Sequence, residues 1–153
     1  MPNTYRGLGI ECLYPDNWKL LEDDSPDSPG FTIESPDAAI FSLTKYPWTV
    51  APREAIERAI EAVQVEYPDC EVEWNDADLT IADSRSVEIR FFLLDLLVVI
   101  RFRGFSIERQ TYLVQQQAED RDYERLEIVF DAVLESIIQS IDPAHGLSRL
   151  HQQ

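Results

Sequence analysis

The chain has 153 residues and a formal net charge of −16, with 29 acidic residues against 13 basic ones. A negative field of this size repels phosphate backbones and anionic lipid surfaces, which argues against nucleic acid or a membrane surface as the partner. The length suits one domain, and a hydrophobic fraction of 44% is enough to form its core without disulfides or metal ions.

The N-terminal part of the sequence predicts a meander of short antiparallel strands. Strand-like segments at 6–14 and 18–21 flank the sequence Tyr14-Pro15-Asp16-Asn17-Trp18. Pro15 cannot donate a hydrogen bond to a sheet and the Asp-Asn pair favours a turn, so the first strand should end here. The rings of Tyr14 and Trp18 are large enough to fix this corner to the core. Residues 22–30 predict an acidic, proline-rich loop, and two further strands are expected at 31–34 and 39–46.

The middle of the chain predicts one helix and a second group of strands. Pro52 suits the first turn of a helix, where its missing N–H costs nothing. Apolar residues then recur at the spacing of one buried helical face up to Val63, and the helix should end at the Tyr67-Pro68 step. After that, alternating apolar residues favour strands at 71–74, 79–82, 86–94, 97–102 and 108–116.

The strongest periodic pattern lies near the C-terminus and predicts a long amphipathic helix over 120–141. Acidic residues crowd its first turns, where the helix dipole favours negative charge, and Asp142-Pro143 ends it. Residues 143–153, which include His145 and His151, are expected to form a flexible tail beyond a single domain at 1–142. The apolar positions of the helix are Leu126, Val129, Phe130, Val133, Leu134, Ile137, Ile138 and Ile141.

The order of these elements and two of their motifs resemble the PsbP-like superfamily. The matching residues are Tyr14, Pro15 and Trp18 at the corner and the segment from Leu126 to Ile137 in the last helix. The resemblance implies an α+β fold in which an antiparallel sheet of six or seven strands is covered by two main helices, an α/β/α sandwich. Members such as PsbP, a yeast Ran-binding nuclear import factor and DcrB-type bacterial proteins resemble adaptors, chaperones or accessory subunits. The resemblance therefore implies a non-enzymatic role, by analogy of fold.

The cysteines and the N-terminus bear on the cellular compartment. Cys12 and Cys70 are far apart in sequence, and both lie in strand-like segments. We expect them to be buried free cysteines of a protein in a reducing compartment, with a disulfide between them as the alternative. Residues 1–6 have no apolar signal-peptide core. The longest apolar run, at 96–100, is far shorter than the ~20 residues of a membrane span. We therefore expect a cytoplasmic protein without a membrane-spanning helix.

The motifs predict no catalytic residue, no cofactor and no metal site. Both histidines lie in the expected tail, where a catalytic base is not held rigidly. Gly7 and Gly9 lack the third glycine and the following helix of a dinucleotide fingerprint, and they predict a sheet position or a bulge instead. The carboxylates at 22–27 lack the spacing of a calcium loop, so we expect a solvated loop, with a loose cation site as the alternative.

One group of basic residues forms a candidate binding site. Arg90, Arg101 and Arg103 fall on adjacent predicted strands and are expected to share one sheet face. They would either pair with neighbouring carboxylates or bind an acidic peptide or small anion, because the guanidinium fork recognises carboxylates. Trp48, in the loop before the first helix, is a second candidate contact, with burial in the core as the alternative. Five of the thirteen basic residues lie in this region: Arg85, Arg90, Arg101, Arg103 and Arg109.

Three hypotheses of function follow from these observations. The first is a non-enzymatic adaptor or accessory domain that binds a protein or peptide partner, as a monomer or homodimer. The second is a small-anion binder or weak enzyme, which requires a concave pocket containing at least two of Arg90, Arg101 and Arg103. The third is a chaperone for secretion effectors, which requires a large exposed apolar groove or a dimer.

Overall fold

The computed structural model describes residues 1–75, 81 and 83–141. The strand predicted at 79–82 lies outside the described residues apart from Ile81, and so does the tail predicted at 143–153. In chain order the elements are β1 (Asn3–Gly7), β2 (Ile10–Tyr14), β3 (Lys19–Asp23), β4 (Gly30–Glu34), β5 (Ile40–Pro47), α1 (Pro52–Glu66), β6 (Glu71–Asn75), β7 (Arg85–Leu93), β8 (Leu96–Ile107), β9 (Gln110–Glu119) and α2 (Asp120–Ile141).

Seven of the strands form one antiparallel sheet in the order β3-β4-β5-β9-β8-β7-β6, and β1 and β2 form a separate two-stranded sheet. The predicted α+β class, with six or seven antiparallel strands and two main helices, is therefore confirmed. Both helices also lie where the apolar periodicity predicts them. β8 is longer than predicted, because its pairing with β9 continues beyond Phe102 to Ile107, which lies opposite Gln110.

The segment 6–14 forms a hairpin, so its prediction as a single strand was wrong. β1 and β2 pair around a two-residue turn at Leu8 and Gly9. Both turn residues have a positive φ, 57° for Leu8 and 78° for Gly9, as in the type I′ turns that match the twist of a hairpin. Gly9 therefore belongs to a hairpin turn, whereas Gly7 is the last residue of β1 and takes the sheet position that the sequence predicts.

The aromatic corner carries the chain from the small sheet to the large one. β2 ends at Tyr14, the Trp18 amide donates to the Pro15 carbonyl over 3.1 Å, and β3 begins at the next residue. The Trp18 ring is buried and meets Phe130 of α2 edge-on, with the ring centroids 6.0 Å apart. The corner is thus part of the core, as its large rings predict.

The two helices pack on opposite faces of the large sheet, and the sets of strands that they cover overlap only in part. α1 lies over β7, β8 and β9, whereas α2 lies over β8, β9 and the β1–β2 hairpin. Ser136 and Ser140 of α2 accept hydrogen bonds from the Leu13 and Glu11 amides of β2, which fixes the hairpin to this helix. Because α2 and the hairpin occupy the β3–β5 side, no helix of the described residues covers the outer part of this face, on β6 and β7.

The cysteines lie on opposite faces of the large sheet, and both are free. Cys12 is in the core beneath α2, where burial raises the pKa of its thiol to about 12. Cys70 packs against the core beneath α1. The sheet between them excludes the disulfide that the sequence left open.

Over the described residues, neither helix combines the length and the apolar character that crossing a lipid bilayer requires.

Candidate functional site

Arg90 and Arg101 lie on the α2 side of the sheet and share one carboxylate. The β7–β8 register sets Glu88 directly opposite Arg101, and Arg90 follows two residues along the same face. Glu88 accepts from Arg90 Nη1 at 2.5 Å and from Arg101 Nη2 at 3.2 Å. Arg101 Nη1 also donates to Glu127 of α2 at 3.2 Å. The two guanidinium groups are therefore held by protein carboxylates.

Arg103 is the third arginine of this face and lies deeper. Its side chain is almost fully buried, and Nη1 is 3.5 Å from Asp131 Oδ1 on α2. The sequence prediction that Arg90, Arg101 and Arg103 share one face is confirmed by the strand register. Their proposed role in binding stays a prediction.

A cavity of about 320 Å³, here called the acidic cleft, lies between this sheet face and the first turns of α2. It exists because α2 does not extend over β7. Two arginines and four carboxylates line it, which leaves a formal excess of two negative charges. Arg103 does not line it. The lining residues are Glu88, Arg90, Val99, Arg101, Asp120, Tyr123, Glu124 and Glu127.

Tyr123 forms part of the wall of the acidic cleft and is only 8% exposed. Its hydroxyl has no hydrogen-bond partner within the described part of the chain, and the same is true of Arg101 Nε. Burial raises the pKa of Tyr123 to about 12, although the positive charges of Arg101 and Arg103 act in the opposite direction. At neutral pH the hydroxyl is therefore protonated, and its oxygen is able to accept a hydrogen bond.

The raised pKa of Tyr123 predicts a loss of stability at alkaline pH. The folded state holds this proton more tightly than the unfolded chain, so the contribution is complete below pH 10 and is lost as the pH rises toward 12. At pH 11 the loss in the free energy of unfolding should be on the order of 1 kcal/mol, the equivalent of about one pKa unit. Urea unfolding at pH 8 and pH 11 should show that the free energy of unfolding decreases less in Tyr123→Phe than in the wild type, by this amount. An unchanged decrease in the variant would contradict the assignment.

An apolar turn, here called the hairpin tip, projects beyond the acidic cleft at the end of β7 and β8. Leu93 and Leu96 close the hairpin around a two-residue turn at Leu94 and Asp95. Leu94 is 90% exposed and Phe92 is 68% exposed. The φ angle of Leu94 is +58°, a left-handed conformation in which Asn or Gly is the usual residue. The hairpin tip comprises Phe92, Leu93, Leu94, Asp95 and Leu96.

A second cavity, of about 480 Å³ and here called the hairpin pocket, lies beside the tip where α1 turns into β6. Tyr67 stacks on Phe91 at its base, with the ring centroids 4.0 Å apart. β6 pairs with β7 only as far as Arg90, so residues 91–93 have no neighbouring described strand on that side. Arg90 and Phe92 connect this pocket with the acidic cleft and the tip. It is lined by Tyr67, Pro68, Asp69, Cys70, Glu71, Arg90, Phe91, Phe92 and Leu97.

Trp48 lies at the opposite end of the sheet from the hairpin tip. It follows β5, whose last residue pairs with Gln110 beside the β8–β9 turn. The indole is 60% exposed, and the Arg109 guanidinium lies 6.0 Å from its centroid. The structure therefore does not bring Trp48 together with Arg90 and Arg101, and its role as a contact stays a prediction.

A mostly apolar groove of about 490 Å³ separates the N-terminal segment from α2. Leu13 of β2 and Ile128 of α2 form exposed parts of its walls. This groove is the feature of the described surface that fits the effector-chaperone hypothesis best, but it is only about as large as the hairpin pocket and carries no buried polar group without a partner.

The acidic loop after β3 is organised by local hydrogen bonds. Asp23 accepts from the Ser25 hydroxyl at 2.7 Å and from the Ser25 amide at 3.0 Å, and these bonds lower the pKa of Asp23. No group of three or more His, Cys, Asp or Glu residues suited to a metal ion occurs in the parts of the chain that the structure describes. The loose cation site considered for this loop remains an alternative without structural support.

Most residues of the acidic cleft and of the hairpin tip cannot be recognised as a site from the sequence. In the sequence, Tyr123 and Glu127 look like ordinary positions of an amphipathic helix. In the structure, they lie one helical turn apart on the side of α2 that faces Arg90 and Arg101. Asp95 is the one polar residue between Phe91 and Ile100, and it is the sequence signal that could have indicated a turn there. The apolar residues beside it predict core, because most such runs are buried.

No family model matches the sequence, and no curated protein matches it. Three solved structures are similar in fold. PsbP (CyanoP) from Synechocystis sp. PCC 6803 has a TM-score of 0.61 and 15% identity over 88% of this chain and 90% of its own. PA94 from Pseudomonas aeruginosa, a protein of unknown function, has a TM-score of 0.50 and 14% identity over 89% and 95%. LpqN of Mycobacterium tuberculosis, involved in cell envelope biogenesis, has a TM-score of 0.50 and 15% identity over 87% and 86%.

These similarities show that the chain has the PsbP-like fold, and they confirm the resemblance drawn from the corner and the last helix. At 14–15% identity they show the fold alone. The site must therefore be argued from the residues of this chain.

Proposed function

We propose that this chain is a non-enzymatic accessory domain that binds a protein partner through the hairpin tip. The partner site that complements it is an apolar depression bordered by lysine or arginine side chains. The observation that carries the proposal is Leu94, an almost fully exposed leucine held in a left-handed turn.

Two properties of Leu94 argue for a role outside the folded domain. Its exposed side chain contributes little to the core. Its left-handed backbone conformation costs on the order of 1 kcal/mol, a cost that Asn or Gly would avoid. Leu93, Leu96 and Phe92 are exposed around it, so the apolar surface is continuous rather than a single residue. Contiguous exposed apolar surface with a polar border is typical of interaction sites.

The charge around the tip favours a basic protein over a lipid surface. Asp95 stands at the centre of the turn, and Asp69 and Glu71 line the adjacent hairpin pocket. Together with the net charge of −16, these carboxylates oppose an approach to anionic lipid. They attract a partner whose apolar site has cationic neighbours, and they raise the rate of encounter with it.

The small-anion hypothesis is supported less well. The acidic cleft does contain Arg90 and Arg101, but Glu88 already accepts from both guanidinium groups, and Glu127 accepts from that of Arg101. An incoming anion would have to displace these carboxylates and enter a cavity with excess negative charge. Both effects oppose its binding.

The proposal predicts that Leu94→Asn separates stability from binding. Asn is favoured at a positive φ, so the free energy of unfolding should rise by about 0.5–1 kcal/mol. Binding should weaken at least tenfold, because a leucine side chain buried at an interface contributes about 1.5–3 kcal/mol. The partner is recovered from the cell of origin with the wild-type protein, purified, and its affinity for each variant is measured by calorimetry.

Glu108→Asn is the matched control. Glu108 has a φ of +55° in the β8–β9 turn at the far end of the sheet, so the same substitution relieves the same kind of strain there. This control should keep the wild-type affinity. Equal affinities of both variants would contradict the proposal, and so would co-sedimentation of the wild type with lipid vesicles that Leu94→Asn abolishes.

A further inference from the structure

We propose that the acidic cleft binds a lysine or arginine side chain of the partner that docks on the hairpin tip. This inference rests on the proposed function and adds a defined chemical group to it. The tip supplies apolar contact, and the cleft recognises a cation next to the partner's apolar site.

The charges of the cleft are arranged for a cation. Glu88 and Glu127 are engaged with Arg90 and Arg101, whereas Asp120 and Glu124 have no ion pair among the described residues. These two carboxylates supply the excess negative charge of the cavity. The N-terminus of α2 contributes the equivalent of only about half a positive charge, which does not cancel them.

Tyr123 is a second and independent observation at the same cavity. Its side chain is more than nine-tenths buried, and its hydroxyl has no hydrogen-bond partner in the described structure. A buried hydroxyl without a partner is costly, so such groups are rare unless a ligand or water completes them. An ammonium or guanidinium N–H is a donor that the hydroxyl oxygen and the nearby carboxylates are able to accept together.

The cleft and the tip are near enough to be covered by one partner segment. Arg90 lines the cleft and Phe92, two residues further along the same face of β7, begins the tip. Two residues of a strand span about 7 Å. A volume of about 320 Å³ is at the lower end of the range of ligand pockets, about 300–1,000 Å³, which suits one long side chain.

The test uses the whole protein and a defined probe, the acetylated and amidated peptide Ala-Arg-Ala-Arg-Ala, followed by amide chemical shifts in NMR titrations. Its citrulline counterpart has the same shape without charge and should bind at least tenfold more weakly. Asp120→Asn combined with Glu124→Gln should weaken binding of the arginine peptide at least fivefold. Shifts should concentrate at residues 88–101 and 120–127.

Two controls separate a built site from diffuse attraction to an acidic protein. Asp24→Asn combined with Asp27→Asn removes the same charge from the exposed loop, and the affinity should stay within twofold of wild type. Tyr123→Phe removes only the hydroxyl and should weaken binding about threefold or more without lowering the melting temperature at pH 7. Equal weakening by both charge pairs, or unchanged affinity of Tyr123→Phe, would overturn the inference.

The outcome is distinguishable from that of the proposed function. Leu94→Asn should keep the affinity for the arginine peptide, because the tip does not line the cleft, while losing the protein partner. If the peptide fails to bind and Leu94→Asn still loses the partner, the cleft inference alone fails. If Leu94→Asn keeps the partner, the proposed function fails whatever the peptide does.

Discussion

Phe130→Ala is expected to lower the free energy of unfolding by about 3–5 kcal/mol, the usual cost of deleting a fully buried ring. Phe130 is completely buried in α2 and its ring contacts Trp18, Phe41 and Tyr123. It thereby joins the aromatic corner, the large sheet and the long helix at one point. Its removal leaves a cavity that three elements would have to fill, and the sheet cannot collapse into it.

Urea unfolding at pH 7 measures this effect. Ile128→Ala is the matched control on the same helix, because Ile128 is largely exposed and its truncation should change stability by no more than about 0.5 kcal/mol. Should Phe130→Ala fail to fold, Phe130→Leu is the measurable variant, with an expected loss of about 1–1.5 kcal/mol. Equal stabilities of the Phe130 and Ile128 variants would show that the core beneath α2 is not packed as described.

Glu88→Ala should be the second most damaging substitution, with an expected loss of about 2–4 kcal/mol. Glu88 is the common acceptor of Arg90 and Arg101, and its own side chain is mostly buried. Removing it leaves Arg101 with Glu127 as its remaining acceptor. Breaking a buried ion pair from one side is costly because the other charge stays desolvated, and partial access of water to Arg90 moderates that cost.

Two comparisons define this result. Glu57→Ala breaks an exposed pair between Glu57 and Arg53 on α1, and it should cost no more than about 0.5 kcal/mol. Adding Arg101→Met to Glu88→Ala should recover part of the loss, since it removes the stranded charge together with its partner. A Glu88 variant as stable as the Glu57 variant would mean that the arginine network is solvated, and the cleft would lose its rigid wall.

Sequence reasoning predicts the fold well where a local pattern has one physical solution. The periodicity up to Ile141 requires an amphipathic helix, and Pro15 with Trp18 requires a corner anchored in a core. It fails at Leu8, where the residue that adopts a positive φ is not the Asn or Asp that usually announces a type I′ turn. The hairpin of β1 and β2 was therefore hidden inside one expected strand.

The candidate site is less accessible to such reasoning, because it depends on which elements leave a face uncovered. Alternation along β7 and β8 was enough to set Arg90, Arg101 and Arg103 on one face. No local sequence pattern predicts that α2 does not extend over β7. This uncovered part of the sheet forms the acidic cleft beside Tyr123. The same limit applies to Leu94, which is exposed because no element among residues 1–75 and 83–141 covers the turn.

The most direct test of the central claim is site-specific photo-cross-linking in the cell of origin. A photoreactive phenylalanine analogue replaces Leu94 in one variant and Val65, an exposed residue of α1, in the other. We expect one discrete protein adduct from position 94 and none from position 65. The captured protein, once purified, should bind the wild type at least tenfold more tightly than Leu94→Asn. The same adducts from both positions, or none from position 94, would contradict the account of the hairpin tip as a partner-binding site.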